Sequence, residues 1–186
     1  MANYKDIHGT KVEVRSDDPS NPVQGQVWYN SGTLKGFKLN PAGSWATGGS
    51  LTTLRRMMGS AGTQTSALSF GGVNTTATLG LTESYNGSAF TEVADLNEAR
   101  RDIRGCGVDN TAALAFGGNN SAKTELWNGS SWTEVANLSS ATQDMNYGNV
   151  GTTGGTLAIG GDASPPVSTR TEAWTATDAV TTITTS

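Results

Sequence analysis

Two stretches of fifteen residues in this chain are nearly the same: TESYNGSAFTEVADL spans residues 82–96, and TELWNGSSWTEVANL spans residues 124–138. Three Gly-Gly pairs keep a similar spacing, each at the end of an apolar run, and they begin at residues 71, 117 and 160. The intervals between them are therefore 46 and 43 residues. An internal period of this length is typical of repeat architectures, and it constrains the fold more than any local propensity does.

Other residues recur with the Gly-Gly pairs. A glycine stands twelve positions before each pair, and the motif Thr-Glu-x-aromatic follows each pair. These residues are Gly59, Gly105 and Gly148 before the pairs, then Glu83 with Tyr85, Glu125 with Trp127, and Glu172 with Trp174. In the first two copies a second aromatic residue follows five positions later, as Phe90 and Trp132. The repeat units are therefore about 55–99, 100–141 and 142–186.

Each unit reads as four short strands. The run AALAFGG alternates Leu114 and Phe116 with two alanines, which is the period of two that a pleated strand requires. Asn128-Gly129, like Asn86-Gly87 in the preceding unit, predicts a hairpin with a type I′ turn, because both residues tolerate a positive φ. The third unit has TATDAV at this place and lacks the second aromatic residue.

A degraded copy of the pattern precedes these units. The stretch LKGFKLNPAGSWATGGSL (34–51) resembles the third and fourth strands of a unit, with Trp45 at the position of Phe90 and Trp132. The runs VEVRS and GQVWYN supply two further candidate strands, so an atypical unit is expected at about 25–54. Residues 1–24 are polar and contain proline, which predicts either an N-terminal arm that orders on a neighbouring protein or an ordinary extra strand with a loop.

A repeat of 43 to 46 residues that holds four antiparallel strands has the length of a propeller blade. Such a sheet cannot bury both faces alone, so it must stack on its neighbours. We therefore predict an all-β protein, a small β-propeller with about three clear blades and an atypical N-terminal one. Either one chain or several chains close the ring, and we expect the strand near residues 179–185 to pair with the first unit of the same chain or of a neighbour.

Composition excludes several classes of function. A net charge of −4 and a pI near 4.9 argue against nucleic acid as a partner. The single cysteine, Cys106, excludes an intrachain disulfide and a multi-cysteine zinc site, and we expect it to be a buried apolar residue. The single histidine, His8, argues against a metal-dependent enzyme and a Ser/His/Asp triad. No apolar stretch is long enough for a signal peptide or a membrane span, so neither export nor membrane insertion is expected, and no cofactor is expected.

The recurring residues also admit functional interpretations. The Gly-Gly pairs are not followed by Gly-Lys-Ser/Thr, so turns or close packing are favoured over phosphate binding. Glu83, Glu125 and Glu172 are expected to pair with arginines of adjacent units rather than to act as hydrolytic carboxylates. Five aromatic residues suit either packing between sheets or a sugar-stacking surface, with packing favoured; they are Trp45, Tyr85, Phe90, Trp127 and Trp132.

Together these residues resemble the kelch motif over residues 34–186. The resemblance consists of an arginine before the first strand (Arg55 or Arg56, Arg100 or Arg101), an apolar strand that ends in Gly-Gly, and an aromatic residue followed by a second one. It implies a kelch-like β-propeller. The residues with structural roles in the repeat would be Gly71, Gly72, Gly117, Gly118, Gly160, Gly161, Tyr85, Phe90, Trp127, Trp132, Trp174 and Trp45. The third unit has Thr142-Gln143 in place of its arginine.

The stretch SDDPSNPVQGQVWYNSGTLKGFKL, followed by GSWATGGSL, is similar to the N-terminal regions of bacteriophage virion proteins, especially kelch-like structural proteins of marine phages. This resemblance implies a non-enzymatic virion protein on the particle exterior, as a tail fibre, appendage or capsid decoration. Residues 1–24 would then attach it to other virion proteins, as a homo-oligomer. Loops 73–80 and 162–170 would carry any contact with the host surface, for example with a glycan. The alternatives are a soluble carbohydrate-binding propeller outside a virion and a divergent hydrolase.

Overall fold

A computed structural model describes residues 13–20, 26–36, 43–145, 151–162 and 169–177. Over these residues the chain has fourteen strands and no helix, and the strands form four sheets of three or four strands each. This confirms the predicted all-β class. The chain divides into two compact units, residues 1–46 and residues 47–186.

The N-terminal unit contains one three-stranded sheet of β1 (Glu13–Arg15), β2 (Val27–Asn30) and β3 (Thr33–Gly36). β2 and β3 form an antiparallel hairpin, whereas β1 pairs with β2 in parallel. Trp28 of β2 is buried, and its indole N–H donates to Asp18 Oδ1 at 3.0 Å. β1 lies inside the segment predicted as an arm, and over these three residues the structure has the alternative, an extra strand.

The prediction of a fourth strand around Trp45 is wrong for this chain. Residues 43–50 form no strand and are all exposed, and Trp45 is fully exposed. The pattern of an N-terminal blade therefore breaks off after β3 among the described residues.

The second unit contains three sheets, each with its strands in chain order. Sheet I consists of β4 (Gly59–Thr63), β5 (Ser66–Phe70), β6 (Thr82–Tyr85) and β7 (Phe90–Val93). Sheet II consists of β8 (Arg104–Asp109), β9 (Ala112–Phe116), β10 (Thr124–Trp127) and β11 (Trp132–Glu134). Sheet III consists of β12 (Gly151–Thr152), β13 (Gly155–Ile159) and β14 (Thr171–Thr175). The pairing in all three is antiparallel.

The four-stranded prediction thus holds for the units at 55–99 and 100–141. In the unit at 142–186 the described residues form three strands. The strand predicted near residues 179–185, and its closure of the fold, lie outside the described residues.

The predicted Asn-Gly hairpins are present, but the predicted turn type is wrong. Tyr85 pairs with Phe90, so the loop between β6 and β7 has four residues, and only Gly87 in it has a positive φ, of 93°. Asn86 uses its side chain instead, because its Oδ1 accepts the amides of Ser88 and Ala89 at 3.0 Å each. The loop between β10 and β11 is built in the same way by Asn128 and Gly129.

Strand β9 is buried on both faces, and it alternates small and large residues. Ala113 and Ala115 share a core with sheet I, whereas Leu114 and Phe116 share a core with sheet III. The core between sheets I and II consists of Ala61, Leu68, Phe70, Leu96, Ile103, Ala113, Ala115, Trp127 and Trp132. The core between sheets II and III is built around Cys106, Leu114, Phe116 and Met145. Small side chains on one sheet thus receive large side chains of the preceding sheet.

The pairing register corrects one predicted equivalence. Gly59 pairs with Phe70 in sheet I, but the residue that pairs with Phe116 in sheet II is Arg104, and Gly105 pairs with Ala115. A register shift between Cys106 and Asp109 adds one residue to β8 and explains the offset. Gly148 lies outside the described residues.

Candidate functional site

The Gly-Gly pair at residues 71–72 is a joint between consecutive sheets. Gly71 and Gly72 have φ values of 66° and 106°, which disfavour any residue with a side chain. The Gly71 amide donates to Leu81 O at 2.9 Å, and the Gly72 amide donates to Arg100 O of the next unit at 2.8 Å. A Cβ atom on Gly71 would lie 2.5 Å from that same Arg100 oxygen. Glycine is therefore required both for backbone conformation and for close approach.

The same joint recurs at the second pair. The Gly117 amide donates to Lys123 O at 3.0 Å, and the Gly118 amide donates to Thr142 O at 2.8 Å. In the third pair the Gly160 amide donates to Arg170 O at 2.8 Å. These amides are engaged within the protein, so they do not offer the free N–H groups with which a loop cradles phosphate.

A buried ion pair stands beside each of the first two joints. Arg100 Nη2 donates to Glu125 Oε1 at 2.7 Å, and the two side chains are 0% and 1% exposed. Arg100 Nη1 also donates to Gly117 O at 2.7 Å and to Lys123 O at 2.8 Å. Arg55 and Glu83 form the corresponding pair in sheet I. Of the alternative arginines in the sequence, the buried partners are thus Arg55 and Arg100.

The predicted pairing with arginines of adjacent units is wrong, because both pairs form within one unit. The arginine lies four residues before the first residue of a sheet's first strand, and the glutamate lies on the third strand of that same sheet. The other carboxylate oxygen makes the link to the preceding connection. Glu83 Oε2 accepts the Thr52 amide at 2.7 Å, and Glu125 Oε2 accepts the amide and the side-chain amide of Asn97, both at 2.8 Å.

Sheet III has a corresponding Arg–Glu pair, but its arginine comes from a different position in the repeat. Glu172 Oε2 accepts the Ser139 amide at 2.8 Å, and Glu172 Oε1 pairs with Arg170 Nε at 2.9 Å. Arg170 also donates to Ser140 O at 3.3 Å and to the hydroxyl of Thr142, the residue that replaces the expected arginine. Sequence reasoning missed Arg170, and its position two residues before Glu172 was the available signal.

Burial and hydrogen bonding shift the pKa values of several of these groups. Burial opposes ionisation of Glu83, but the Thr52 amide and the Arg55 guanidinium outweigh it, so the pKa of Glu83 is lowered. Burial raises the pKa of the Cys106 thiol, and the prediction that this cysteine is buried is confirmed. Neither shift creates a reactive group, because both favour the form that the residue has at neutral pH anyway.

The recurring tryptophans are packing residues. Trp127 and Trp132 are 2% and 5% exposed, and the ring of Trp132 meets that of Phe70 edge-on with centroids 5.0 Å apart. Trp132 Nε1 donates to Thr82 Oγ1 of the preceding sheet at 3.0 Å. Neither ring is available to stack on a sugar, so that interpretation is wrong for both tryptophans.

The remaining aromatic residues differ in their surroundings. Tyr85 and Phe90 are half-buried and lie against each other, with centroids 4.7 Å apart. Trp174 is half-buried, and its Nε1 donates to Thr153 O at 3.0 Å. Trp127 makes the corresponding bond to Asn110 O at 3.0 Å in sheet II. Trp45 contributes to no core among the described residues.

A cavity of about 60 Å³ lies between sheets II and III. Apolar and polar side chains line it together, among them Phe116, Thr124, Thr156, Ala158, Glu172 and Trp174. It is several times larger than the roughly 10–15 Å³ that one water molecule needs. The corresponding space between sheets I and II is filled by the ring of Trp132.

Among the described residues, no group of three or more His, Cys, Asp or Glu side chains is arranged to hold a metal ion. The same part of the chain contains no helix of the length and apolarity needed to cross a bilayer. The chain matches no protein-family model, and no curated protein is significantly similar to it.

Proposed function

We propose that this protein is a non-enzymatic structural component of a bacteriophage virion, a kelch-like β-propeller displayed on the particle exterior. The observation that carries the proposal is the repeated joint: a Gly-Gly pair and an Arg–Glu ion pair recur in three consecutive sheets, and the ion pair is buried in the first two. In each sheet these groups contact one another and the neighbouring connection. The glycines, the glutamate and the arginine thus stabilise the contact between consecutive sheets.

The arrangement of the sheets supports the propeller part of the proposal. The first strand of sheet I packs beside the first strand of sheet II, and β8 in turn packs beside β12. First strands that adjoin one another, with the later strands further out, are the geometry of blades around an axis. At both described interfaces, between sheets I and II and between sheets II and III, large residues of one sheet meet small ones on the next, and the same contact can continue around a ring.

The virion part of the proposal is supported by the resemblance of residues 16–51 to phage structural proteins. Tail fibre, appendage and capsid decoration all place such a protein outside the particle. Residues 1–24 would provide attachment to other virion proteins, and the loop at 73–80 would face outward. Within that loop Asn74 Oδ1 accepts the amides of Thr76 and Ala77, both at 2.8 Å, so the loop has a defined shape that a receptor could recognise.

Quantitative mass spectrometry of purified phage particles from the virus that encodes this chain tests the role. The expected result is a fixed copy number per particle that survives removal of loosely bound protein by density-gradient centrifugation. Antibody against the folded protein should label intact particles in electron micrographs. Absence of the chain from particles that contain the major capsid protein at its normal level would contradict the proposal.

A further inference from the structure

Sheet III is one strand shorter than its neighbours in the described part of the chain. In sheets I and II the third strand pairs with a fourth, as Tyr85 does with Phe90 and Trp127 with Trp132. The third strand of sheet III is β14, and among the described residues it pairs only with β13. The other edge of β14 therefore offers backbone N–H and C=O groups to a further strand.

The cavity beside β14 lies where the fourth strand of a complete sheet places its aromatic ring. In sheet II that ring belongs to Trp132, which contacts Phe70 and Thr82 of sheet I. The residues of sheet II at the same positions are Phe116 and Thr124, and both line the cavity. In the sequence, the residue five positions after Trp174 is Ala179 instead of an aromatic. The position that Phe90 and Trp132 occupy in the first two units is thus not aromatic in the third.

Residues 43–52 have the sequence of a fourth strand and its following connection. GSWATGGSLT aligns with SSWTEVANLS at residues 130–139 and with SAFTEVADLN at residues 88–97. The alignment places Trp45 with Trp132 and Phe90. It also places Thr52 with Ser139 and Asn97, and the amides of all three donate to the glutamate on the third strand of the following sheet.

Among the described residues this segment completes no sheet of its own chain. Residues 43–50 form no strand in the chain, and Trp45 is fully exposed, which is unusual for the largest apolar side chain. Thr52, seven residues later, is fixed to sheet I through Glu83. A sheet that accepted Trp45 would therefore adjoin sheet I on the side away from sheet II.

The face of sheet III that is turned away from sheet II has large residues, and the face of sheet I that is turned away from sheet II has small ones. This is the same complementarity that joins sheets I and II. Leu157 and Ile159 of β13 stand at the positions of Leu114 and Phe116, which sheet III covers. Leu157 is instead 39% exposed, and Ile159 is half-buried. Sheet I presents half-buried Ala67 at the position of Ala113, which receives large residues of a preceding sheet. Sheet III is thus shaped to precede sheet I of another copy.

We propose that residues 43–49 of a second copy of this chain pair with β14 as the fourth strand of sheet III and insert Trp45 into the cavity lined by Phe116, Thr124 and Trp174. The contact is head to tail. When two copies close on each other, the second copy's sheet III accepts residues 43–49 of the first copy. The described residues of the second unit form three sheets, so two chains bring six, which is the one multiple of three within the four to eight blades typical of propellers. The closed assembly is therefore a two-fold symmetric dimer.

This inference concerns the sheets alone and goes beyond the proposed virion role. Because its tests use the purified full-length chain, they are independent of whether the protein is found in phage particles. Two other occupants are distinguishable by experiment: residues 43–49 of the same chain, and residues 178–186 of the same chain.

The first test is a cysteine pair in the full-length protein. In sheet II, Leu126 pairs with Thr133 across the third and fourth strands, and the equivalent pair in the proposed contact is Ala173 with Ala46. Directly paired antiparallel residues have Cα atoms about 4.5–5.5 Å apart, which suits a disulfide. Oxidation of the Ala173→Cys, Ala46→Cys double variant should give a covalent dimer. Both residues are exposed in the chain, so the substitutions should not impair folding.

The matched control is Ala46→Cys combined with Val108→Cys, since Val108 is 53% exposed but lies on sheet II. It should stay largely uncrosslinked, as should each single variant. An intramolecular disulfide between positions 46 and 173 would overturn the proposal in favour of closure within one chain. A lack of any disulfide between these positions would also overturn it.

The second test is the dependence of mass on concentration, measured by analytical ultracentrifugation. The unmodified protein should sediment as a dimer, and Trp45→Ala should raise the dimer dissociation constant about 30-fold or more, as expected for a buried tryptophan at an interface. Trp45→Phe should retain most of the affinity, because Phe90 occupies the same position in sheet I. Val108→Ala should change nothing. An unmodified protein that is monomeric at every concentration, or a Trp45→Ala variant that dimerises normally, would refute the proposal.

Discussion

Replacement of Arg100 by methionine is expected to destabilise this protein strongly. The side chain is completely buried, and it donates to Glu125, to Gly117 O and to Lys123 O. Methionine fills a similar volume but donates nothing, so the substitution leaves a buried carboxylate and two carbonyl oxygens with fewer partners. Removal of one member of a buried ion pair costs about 3–5 kcal/mol. For a chain of this size, that lowers the melting temperature by roughly 6–20 °C.

The neighbouring arginine provides the control. Arg101 is 48% exposed, and its contact with Asp102 is long, at 3.6 Å. Arg101→Met should therefore change the free energy of unfolding by less than about 1 kcal/mol. A further variant, Arg100→Met with Glu125→Leu, removes the uncompensated charge and should recover part of the loss.

The assay is urea denaturation followed by tryptophan fluorescence, because Trp127 and Trp132 are buried in the core beside this pair. The m-value should stay unchanged, so that the shift in midpoint reports stability alone. A cost below about 1 kcal/mol for Arg100→Met, or an equal cost for Arg101→Met, would contradict a stabilising role of the buried pair.

Three further outcomes are expected. The pKa of Asp18 is lowered to about 2 by hydrogen bonds from Asn30, Lys35 and Trp28. The stability that its ionised form contributes is therefore present above about pH 4 and is lost as the pH falls towards 2. The NMR signal of the Trp28 indole N–H should titrate in that range, and Asp18→Asn should abolish the titration. Burial and the nearby carboxylate of Asp144 raise the pKa of Asp102, because both disfavour its ionised form in the folded protein. Asp102→Asn should therefore raise the free energy of unfolding at about pH 7, as measured by urea denaturation. Below about pH 4, where the aspartate is protonated, the variant and the unmodified protein should no longer differ in this way. Gly71→Ala should cost at least about 1–2 kcal/mol from its positive φ alone, and more from the contact of the new methyl group with a backbone oxygen, in the same assay; a loss below about 0.5 kcal/mol would contradict the role given to this glycine.

The strands were the most predictable part of the fold. The alternation of Leu114 and Phe116 with alanines indicates a strand with two different faces, and the structure buries both faces in different cores. The Gly-Gly pairs and the Asn-Gly hairpins were visible because glycine and asparagine have few alternatives where the backbone must turn. Local sequence did not reveal that Asn86 and Asn128 act through their side chains, since the same letters fit two turn types.

The partners of the buried charges could not be read from the repeat. A sequence gives the spacing of Arg100 and Glu125 but not which strands bring them together, so pairing within one unit and between units were equally compatible with it. Arg170 was missed because the pattern led to the position before the first strand, where Thr142 stands. The bulge in β8 is invisible for a similar reason: Gly105 stands twelve residues before Gly117, as Gly59 does before Gly71, although the pairing register of the two strands differs.

The buried glutamates give this chain a polarity. Each carboxylate is satisfied partly by an arginine of its own unit and partly by a backbone amide that the chain has already passed, such as that of Asn97 for Glu125. Shortening the protein from its C-terminal side would leave each remaining buried carboxylate with its arginine and its backbone amide donor. Shortening it from the N-terminal side would strip an amide from the first carboxylate that is kept. During synthesis on the ribosome the order of events matches this direction, because the amide that each new glutamate requires has already emerged.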